Sequence, residues 1–365
     1  MRTVVITDGM YRSALAAARA FGKAGFRVLV TQTREESPKD PPAFFSRWCE
    51  GHRISGSVKD EAYPDRLEEF LRGLNERPIL FCVGAATLNM VAAQRERFSP
   101  LADFLIAPPE VLDALNDKQA VHDRAQALGL PVPKEYSGTP DAYPVVIKPH
   151  CGEKQGIKAA DRYTLAANEE EYRLKLEKMR VYDPQPIVQE RIIGDGRGVS
   201  LLLGRNSELL EAVCHRRLRE YPMSGGPSTC CISEYDEARI RQAYSLLKSF
   251  GFVGLAMVEF KGDCILEVNP RIWGSFPLTV VSDCPMCLQY ARAAGGETVE
   301  YKPENYRIGQ KMRFCFNDLA ACADLLRHGK IKAGLSGLLD FFRIREALYD
   351  PEDKKAYRKY LKSYF

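Results

Sequence analysis

The sequence of 365 residues predicts an α/β, Rossmann-like N-terminal domain, then an α+β domain and a helical C-terminal extension. An apolar run at Thr3–Thr7, a helix-forming stretch at Ala14–Ala24 and a second apolar run at Arg27–Thr31 make a strand–helix–strand unit. Such a unit opens a parallel sheet. After Pro108 the predicted helices and strands become shorter, which indicates a second domain. From residue 305 onward the composition is helical and basic.

Further elements of the N-terminal domain follow in chain order. They are a helix at Tyr63–Leu74, a strand at Ile79–Val83, a helix at Ala85–Arg97 and a strand at Phe104–Ala107. The turn at Asp8-Gly9 lacks the spaced glycines of a dinucleotide fingerprint. A doubly wound sheet is therefore the better prediction, with any ligand at the carboxyl ends of its strands.

The second domain is predicted to alternate short helices with short strands. In order these are helices at Glu110–Leu115 and Asp117–Leu128, strands at Val145–Lys148 and near Ala159–Tyr163, a helix at Glu169–Val181, a strand at Ile187–Glu190, paired strands at Val199–Leu203 and Glu211–His215, a helix at Glu237–Phe250, and a hairpin at Val258–Trp273. Asn116-Asp117 provides an N-cap for the second helix. The predicted N-terminal domain covers residues 1–108. The second domain covers residues 109–304, with a lid subdomain at about 134–190, and the C-terminal extension covers residues 305–365.

The hairpin carries a cluster of polar side chains. Because side chains alternate between the faces of a strand, Glu267, Asn269 and Arg271 point the same way. Glu259 joins them if the hairpin loop has three residues, Lys261-Gly262-Asp263. In that register Glu259 lies opposite Ile265.

Two carboxylates and an amide oxygen on one face suit Mg²⁺ or Mn²⁺ better than Zn²⁺, which prefers Cys and His. The planar guanidinium of Arg271 adds a fork for phosphate or carboxylate oxygens. The alternative is an amphipathic hairpin with a solvated acidic face. We favour the metal site because the opposite face of both strands is strongly apolar.

The composition predicts a globular cytoplasmic protein. Eleven cysteines, scattered through apolar segments, indicate reduced and buried thiols rather than disulfides. Cys284-Pro285-Met286-Cys287 is a lone C-x-x-C, a weak signal for zinc or for redox chemistry. No stretch approaches eighteen uninterrupted apolar residues, so a membrane-spanning helix is not expected.

Basic charge is concentrated in the C-terminal extension. Residues 305–365 carry 13 Lys and Arg against 7 Asp and Glu, while the whole chain has a net charge of +4. This asymmetry favours a local acidic partner, such as an acidic carrier protein, over nucleic-acid binding. A membrane surface, a homodimer interface and a helical cap over the core are alternatives. The cap or the dimer interface is preferred because amphipathic helices usually bury their apolar face within the protein.

The order of elements resembles the ATP-grasp superfamily, and most closely its single-unit members related to carbamoyl-phosphate synthetase and the carboxylate–amine ligases. The most specific part is Glu267-Val268-Asn269-Pro270-Arg271, and the likeness covers about residues 1–300. It implies a pre-ATP-grasp domain followed by an ATP-grasp fold that binds ATP between two α+β subdomains. The implied reaction phosphorylates a carboxylate to an acylphosphate, which an amine or another nucleophile attacks.

The resemblance also implies roles for individual residues. Lys118 and Lys148 would contact the phosphates of ATP. Gln189, Glu190 and the main chain near Ile192 would meet the adenine edge, and Asp195 is the nearest candidate for the ribose.

For the metal, the resemblance assigns Glu259, Glu267 and Asn269 as ligands of Mg²⁺ or Mn²⁺. Arg271, with Lys148, would steady the phosphoryl group that is transferred.

One segment departs from the family pattern. The loop that covers the phosphates is usually rich in glycine, whereas here it retains only Gly152 and Gly156, with Lys154 as a candidate point charge. This departure leaves open a catalytically retired nucleotide-binding protein. Full carbamoyl-phosphate synthesis would need two tandem units, and the Met-Lys-Met motif of a biotin carrier is missing from this sequence. The run Arg216, Arg217 and Arg219 is either a carboxylate-recognition site or a solvated strand edge.

Overall fold

The computed structural model describes residues 2–37, 39–151, 163–223 and 226–363. Its first sheet has four parallel strands in the order β3-β2-β1-β4. The strands are β1 (Thr3–Ile6), β2 (Arg27–Thr33), β3 (Glu50–Ile54) and β4 (Ile79–Phe81). The helices of this part are α1 (Arg12–Lys23), α2 (Tyr63–Gly73), α3 (Ala85–Ala93) and α4 (Arg95–Phe98), with a 3-10 turn at Pro42–Phe45.

Three features of this part differ from the sequence prediction. β3 was not predicted, because its residues are mostly polar and only its last one, Ile54, is buried. The predicted strand at Phe104–Ala107 is wrong. That segment is buried but irregular, and only the neighbouring Asp103 forms a bridge, to Ile79. The predicted helix at Ala85–Arg97 is broken at Gln94 into α3 and α4.

The carboxyl ends of β1 and β4 are bridged by the chain itself. Asp8 adopts a left-handed conformation (φ 59°), and its carboxylate accepts hydrogen bonds from the Gly84 amide and the Thr87 hydroxyl, both at 2.9 Å. Asp8 therefore occupies the N-terminus of α3, the position where an open α/β sheet often binds an anion.

A three-stranded antiparallel sheet and one helix form a separate unit, which we call the lid. Its elements are β5 (Val145–Lys148), β6 (Thr164–Ala166), α7 (Glu169–Arg180) and β7 (Ile187–Glu190), in the strand order β6-β5-β7. Six buried residues give the lid a small hydrophobic core of its own, namely Val145, Ile147, Ala166, Tyr172, Met179 and Val188. The strand predicted near Ala159–Tyr163 falls largely outside the described residues.

The largest sheet has six antiparallel strands in the order β12-β11-β8-β9-β10-β13. Its strands are β8 (Gly196–Leu203), β9 (Leu209–Glu220), β10 (Ser228–Glu234), β11 (Gly254–Lys261), β12 (Cys264–Asn269) and β13 (Lys311–Arg313). The accompanying helices are α5 (Pro109–Asn116), α6 (Lys118–Ala127), α8 (Glu237–Ser249), α9 (Pro277–Val281) and α10 (Met286–Ala294). Two large hydrophobic clusters contain residues of both this sheet and the N-terminal sheet.

The C-terminal segment is joined to the six-stranded sheet. It contains α11 (Cys315–Arg327), α12 (Ile331–Leu339), α13 (Lys354–Lys362) and β13, which pairs with β10. Neither β10 nor β13 was predicted. Phe314 and Ala347 lie in a buried cluster with Cys231 of β10. The cap interpretation and the boundary at 305 stay predictions. On the outer side Ile331, Leu335, Leu339 and Phe342 are exposed.

The β11–β12 hairpin turns differently from the sequence prediction. Lys261 pairs directly with Cys264, so the loop has two residues, and Gly262 takes the positive φ (55°) that this tight turn needs. A β-bulge follows, in which Leu266 is the extra residue between the pairs Phe260–Ile265 and Glu259–Glu267. The predicted three-residue loop is wrong. The predicted face is nevertheless formed, because the bulge restores the orientation that the shorter turn would have reversed.

The cysteines are free in the described structure. Cys284 and Cys287 are both buried, and burial raises the pKa of each thiol. The interpretation of the C-x-x-C segment as buried thiols is confirmed.

Candidate functional site

The candidate site is built on the polar face of β11 and β12. Glu259 lies directly opposite Glu267, and Asn269 is two residues further along β12 on the same face. The Asn269 amide nitrogen donates a hydrogen bond to Glu259 Oε1 at 3.0 Å. The structure therefore brings the three predicted metal-site residues together, with both carboxylates only partly buried.

Lys118 reaches this face from the first turn of α6. Asp117 caps that helix by accepting hydrogen bonds from the Gln119 and Ala120 amides, so the N-cap prediction is confirmed. The Lys118 ammonium lies 3.0 Å from Glu267 Oε2, and its side chain is 14% exposed. The Lys118 amide also donates to the His150 carbonyl at 3.0 Å, which joins α6 to the loop after β5.

Lys148 enters the same cluster from the lid, at the end of β5. Its Nζ lies 3.4 Å from the carbonyl oxygen of the bulged residue Leu266, and the residue is 6% exposed. Burial removes water from the ammonium group and lowers the pKa of Lys148 to about 7, although the attraction of Glu267 acts in the opposite direction. A buried lysine of this kind is stabilised in its charged form by an anion placed beside it.

Arg217 on β9 is a site residue whose role is open on sequence grounds, between carboxylate recognition and a solvated strand edge. Its guanidinium forms a short ion pair with Glu259, and Glu220 lies 3.7 Å from it on the other side. The sequence signal was the run of three arginines, but their partners depend on strand pairing. Because β9 lies inside the six-stranded sheet, the solvated-edge interpretation of that run is wrong.

The two carboxylates of the site are electrostatically distinct. Burial raises the pKa of Glu259, and the attraction of Arg217 compensates only in part. Burial alone would also raise the pKa of Glu267, but Lys118 and then Lys148 outweigh it and lower that pKa. Glu267 is therefore held as a carboxylate in the chain's own electrostatic field.

Several cations surround the two acids of the hairpin. Four positively charged side chains contact or influence these acids, namely Lys118, Lys148, Arg217 and Arg271. The ammonium groups of Lys118 and Lys148 would attract the oxygens of an anion placed beside them.

The polar face of the hairpin offers oxygen donors to a divalent metal. In the part of the chain that is described, His, Cys, Asp and Glu side chains do not form a metal-binding group of three or more. Glu259 and Glu267 are instead two carboxylates with the Asn269 amide beside them, and Arg217 and Lys118 stand in as their counter-cations. This donor set fits Mg²⁺, which is usually bound through one or two carboxylates together with substrate phosphates.

The segment after β7 connects the lid to the hairpin turn. Gln189 is buried, and its Oε1 has no hydrogen-bond partner within the described ranges. Glu190 exchanges hydrogen bonds with the Lys134 backbone, at 2.9 Å through its amide and 2.8 Å through its carboxylate. The main chain of Ile193 and the side chain of Ile192 lie close to Gly262 in the turn.

The remaining predicted residues are placed as follows. The Asp195 carboxylate lies 3.7 Å from Arg216 and 3.8 Å from Arg197, and its carbonyl accepts a hydrogen bond from Gly262. Arg271 donates to the Ile272 carbonyl at 3.1 Å, and its charge lowers the pKa of Glu259.

Gly152, Lys154 and Gly156 lie outside the described residues. Gln189, Glu190, Ile192 and Asp195 stay predictions for nucleotide contacts.

Comparison with known proteins agrees with this geometry. The family model for the ATP-grasp domain matches residues 115–275. The carbamoyl phosphate synthase large chain of Mycobacterium tuberculosis is 25% identical over 215 residues, which are 53% of this chain and 19% of that protein. This chain thus spans about a fifth of the length of the curated relatives it matches.

Solved structures share the fold. The biotin carboxylase domain of Hydrogenobacter thermophilus 2-oxoglutarate carboxylase, crystallised as a dimer with MgADP and bicarbonate, superposes with a TM-score of 0.64 at 13% identity, over 85% of this chain and 73% of that one. N5-carboxyaminoimidazole synthetase of Staphylococcus aureus gives 0.60 at 15% identity, over 85% and 80%. No helix within the described residues is long and apolar enough to cross a membrane.

Proposed function

We propose, from the premise that residues 115–275 form an ATP-grasp domain, that this chain is an ATP- and Mg²⁺-dependent ligase. It would phosphorylate a carboxylate and join the activated acyl group to an amine or another nucleophile, releasing ADP and phosphate. The observation that carries the proposal is the meeting of Lys118, Lys148, Glu259 and Glu267, which come from four separate elements of the fold.

In the proposed reaction, Lys118 and Lys148 bind phosphate oxygens of ATP. Lys148, whose pKa burial lowers to about 7, holds its proton more firmly once phosphate oxygens lie beside it. A Mg²⁺ ion held by Glu259, Glu267 and the Asn269 oxygen would neutralise charge on those phosphates. The buried Gln189 Oε1 would accept a hydrogen bond from the base.

The chemistry then proceeds in two steps. A substrate carboxylate oxygen attacks the γ-phosphorus, the bond between that phosphorus and the β–γ bridging oxygen breaks, and ADP leaves. The nitrogen of the acceptor then attacks the acyl carbon and forms the C–N bond, the bond from that carbon to the phosphate oxygen breaks, phosphate leaves, and the nitrogen releases a proton to solvent. Arg271, positioned beside Glu259, would stabilise negative charge on the transferring group, the kind of preorganised interaction that is often the largest catalytic contribution.

We also propose a second copy of the chain or an acidic carrier protein as a partner, and the cytoplasm as the location. A homodimer or an acidic carrier protein would be tested first at the exposed α12 side chains, because every exposed charged side chain between residues 327 and 345 is basic. A cytoplasmic location is supported by the eleven free cysteines.

The test measures the release of ADP when the protein is incubated with ATP and Mg²⁺. The reactions contain a panel of carboxylic acids, each combined with amine, amino-acid or thiol acceptors. We expect one class of acid–acceptor pair to stimulate release. We expect Glu267→Gln, which keeps the side-chain shape, to reduce that release by about 10²–10³-fold. If no pair raises release above the variant while ATP still binds, a catalytically retired nucleotide-binding protein replaces the ligase.

A further inference from the structure

His122 is a fully buried residue of α6 that contacts two parts of the candidate site. Its Nδ1 forms a short hydrogen bond with Glu135 Oε1, and its Nε2 lies 3.1 Å from the Leu266 carbonyl oxygen. The simplest explanation is a core histidine whose ring nitrogens are satisfied by nearby acceptors. The positions of those acceptors indicate a role at the candidate site as well.

Two hydrogen-bond acceptors flank the ring of His122, a carboxylate at Nδ1 and a peptide carbonyl at Nε2. Hydrogen bonds from His122 and Gln119 overcome the effect of burial and lower the pKa of Glu135, which keeps that group a carboxylate. The ring is thus held at both of its nitrogens, between Glu135 and the backbone of β12.

The Leu266 carbonyl lies at the bulge that aligns Glu259 with Glu267. Leu266 is the extra residue of the β12 bulge and directly precedes Glu267. Without the bulge, the two-residue turn would set Glu259 opposite Leu266 and would turn Glu267 to the other face. The same carbonyl is 3.4 Å from Lys148 Nζ. His122 and Lys148 thus share one acceptor at the point where the two carboxylates are aligned.

Glu135 extends the connection to the lid. Its second carboxylate oxygen accepts a hydrogen bond from Gln119 Nε2 at 2.8 Å, and its backbone bridges to Gln189 on β7. His122 consequently links α6, the β12 bulge and, through Glu135, the lid strand that carries Gln189.

We propose that His122 is a positioning residue for nucleotide binding, which fixes the Leu266 carbonyl and ties it to the lid through Glu135. The inference rests on the proposed nucleotide site, but it does not depend on which acid or acceptor is used. His122 contacts the backbone and Glu135, and it acts on the ligand through Lys148 and Glu267. Residues that orient binding groups in this way commonly contribute 10–100-fold.

The experiment compares four variants, among them His122→Ala, with the wild-type chain. His122→Gln loses one of the two ring connections, and Glu135→Gln keeps the shape but removes the carboxylate charge beside the ring. Val121→Ala is the matched control, because Val121 is an equally buried neighbour on α6 whose side chain packs in the hydrophobic core. The measurements are ADP and ATP dissociation constants by calorimetry, with and without Mg²⁺, and the melting temperature of each protein.

We expect His122→Gln and Glu135→Gln to weaken nucleotide binding by about tenfold or more relative to Val121→Ala at a similar loss of melting temperature. Partial recovery of binding by His122→Ala in added imidazole would support the same conclusion. If both variants bind nucleotide as the control does, His122 is only a packed core residue and the inference is overturned. A wild-type chain that binds no nucleotide would instead reject the proposed function, and this inference with it.

Discussion

Arg217 and Arg219 lie two residues apart on β9 and form ion pairs with different consequences. Arg217 pairs with Glu259, a partly exposed candidate metal ligand. Arg219 makes two hydrogen bonds to Asp318, at 2.8 and 2.9 Å, and a third to Asp340 at 2.7 Å. The first arginine faces the candidate site, while the second attaches the C-terminal helices to the sheet.

The two ion pairs differ in whether another cation can replace the arginine beside the carboxylate. The Glu259 side chain is partly exposed and lies opposite a second carboxylate, Glu267, so a divalent cation could take the place of Arg217 beside it. Asp318 has no exposed side-chain surface, and without Arg219 the nearest cation would be the Arg313 guanidinium at 3.9 Å. A short sequence motif can therefore combine one exchangeable ion pair with one that is purely structural.

The largest expected effect breaks the structural pair. Arg219→Met should destabilise the chain by about 3–5 kcal/mol, because Asp318 and Asp340 lose their main cation within the protein. Urea unfolding of the variant and the wild type would measure the loss. Arg219→Met combined with Asp318→Asn should recover a substantial part of it. Equal stability of the single variant and the wild type would contradict the structural role.

A third charged residue of β9 sharpens the comparison. Glu211 is buried, and its carboxylate is bonded to the Ala212 amide and the Asn305 side chain rather than to a cation in the described structure. Burial raises the pKa of Glu211 to about 7, above its value in the unfolded chain, so the folded state binds this proton more tightly. The resulting stability is complete below about pH 4.5 and is lost as the pH rises through 7.

Glu211→Gln should therefore be more stable than the wild type at pH 8 by about 2–3 kcal/mol, and this advantage should vanish near pH 5. Denaturant unfolding across that range measures the difference between the two proteins, which removes titrations common to both. A difference independent of pH would show that Glu211 does not titrate in this range.

The smallest effect concerns the exchangeable pair. Arg217→Met should raise the affinity for Mn²⁺ in the absence of nucleotide by about tenfold, roughly 1.4 kcal/mol, because the metal no longer competes with the guanidinium for Glu259. Calorimetric titration with Mn²⁺ would measure it. Arg216→Met is the matched control, since Arg216 pairs with Glu234 and Asp195 instead. Equal affinities in both variants would show that Arg217 does not compete with the metal.

Part of this structure could be predicted from short stretches of the sequence. Asp117 caps α6 and places Lys118, and the apolar strand that ends in Lys148 was recognisable from composition alone. β3 and β13 escaped detection because both are short, polar strands at sheet edges, with little apolar alternation to mark them. At Phe104–Ala107 the opposite error occurred, because an apolar run predicted a strand where the segment is buried without strand pairing.

The rest of the candidate site depended on contacts between distant segments. Arg217 meets Glu259 only because β8 lies between their strands, and His122 meets Leu266 across 144 positions of sequence. The polar face of the hairpin was predicted correctly from an incorrect turn. Two local errors, the loop length and the unrecognised bulge, cancelled because side-chain orientation along a strand has a period of two.

The bulge at Leu266 also determines which insertions and deletions the hairpin can tolerate. Adding one residue to the turn while removing the bulge would leave Glu259 and Glu267 on the same face, since only parity matters for orientation. The same exchange would remove the carbonyl that accepts from His122 and Lys148. Related chains with a longer turn can therefore retain both acids, but they would need a different acceptor for the lysine that reaches over from the lid.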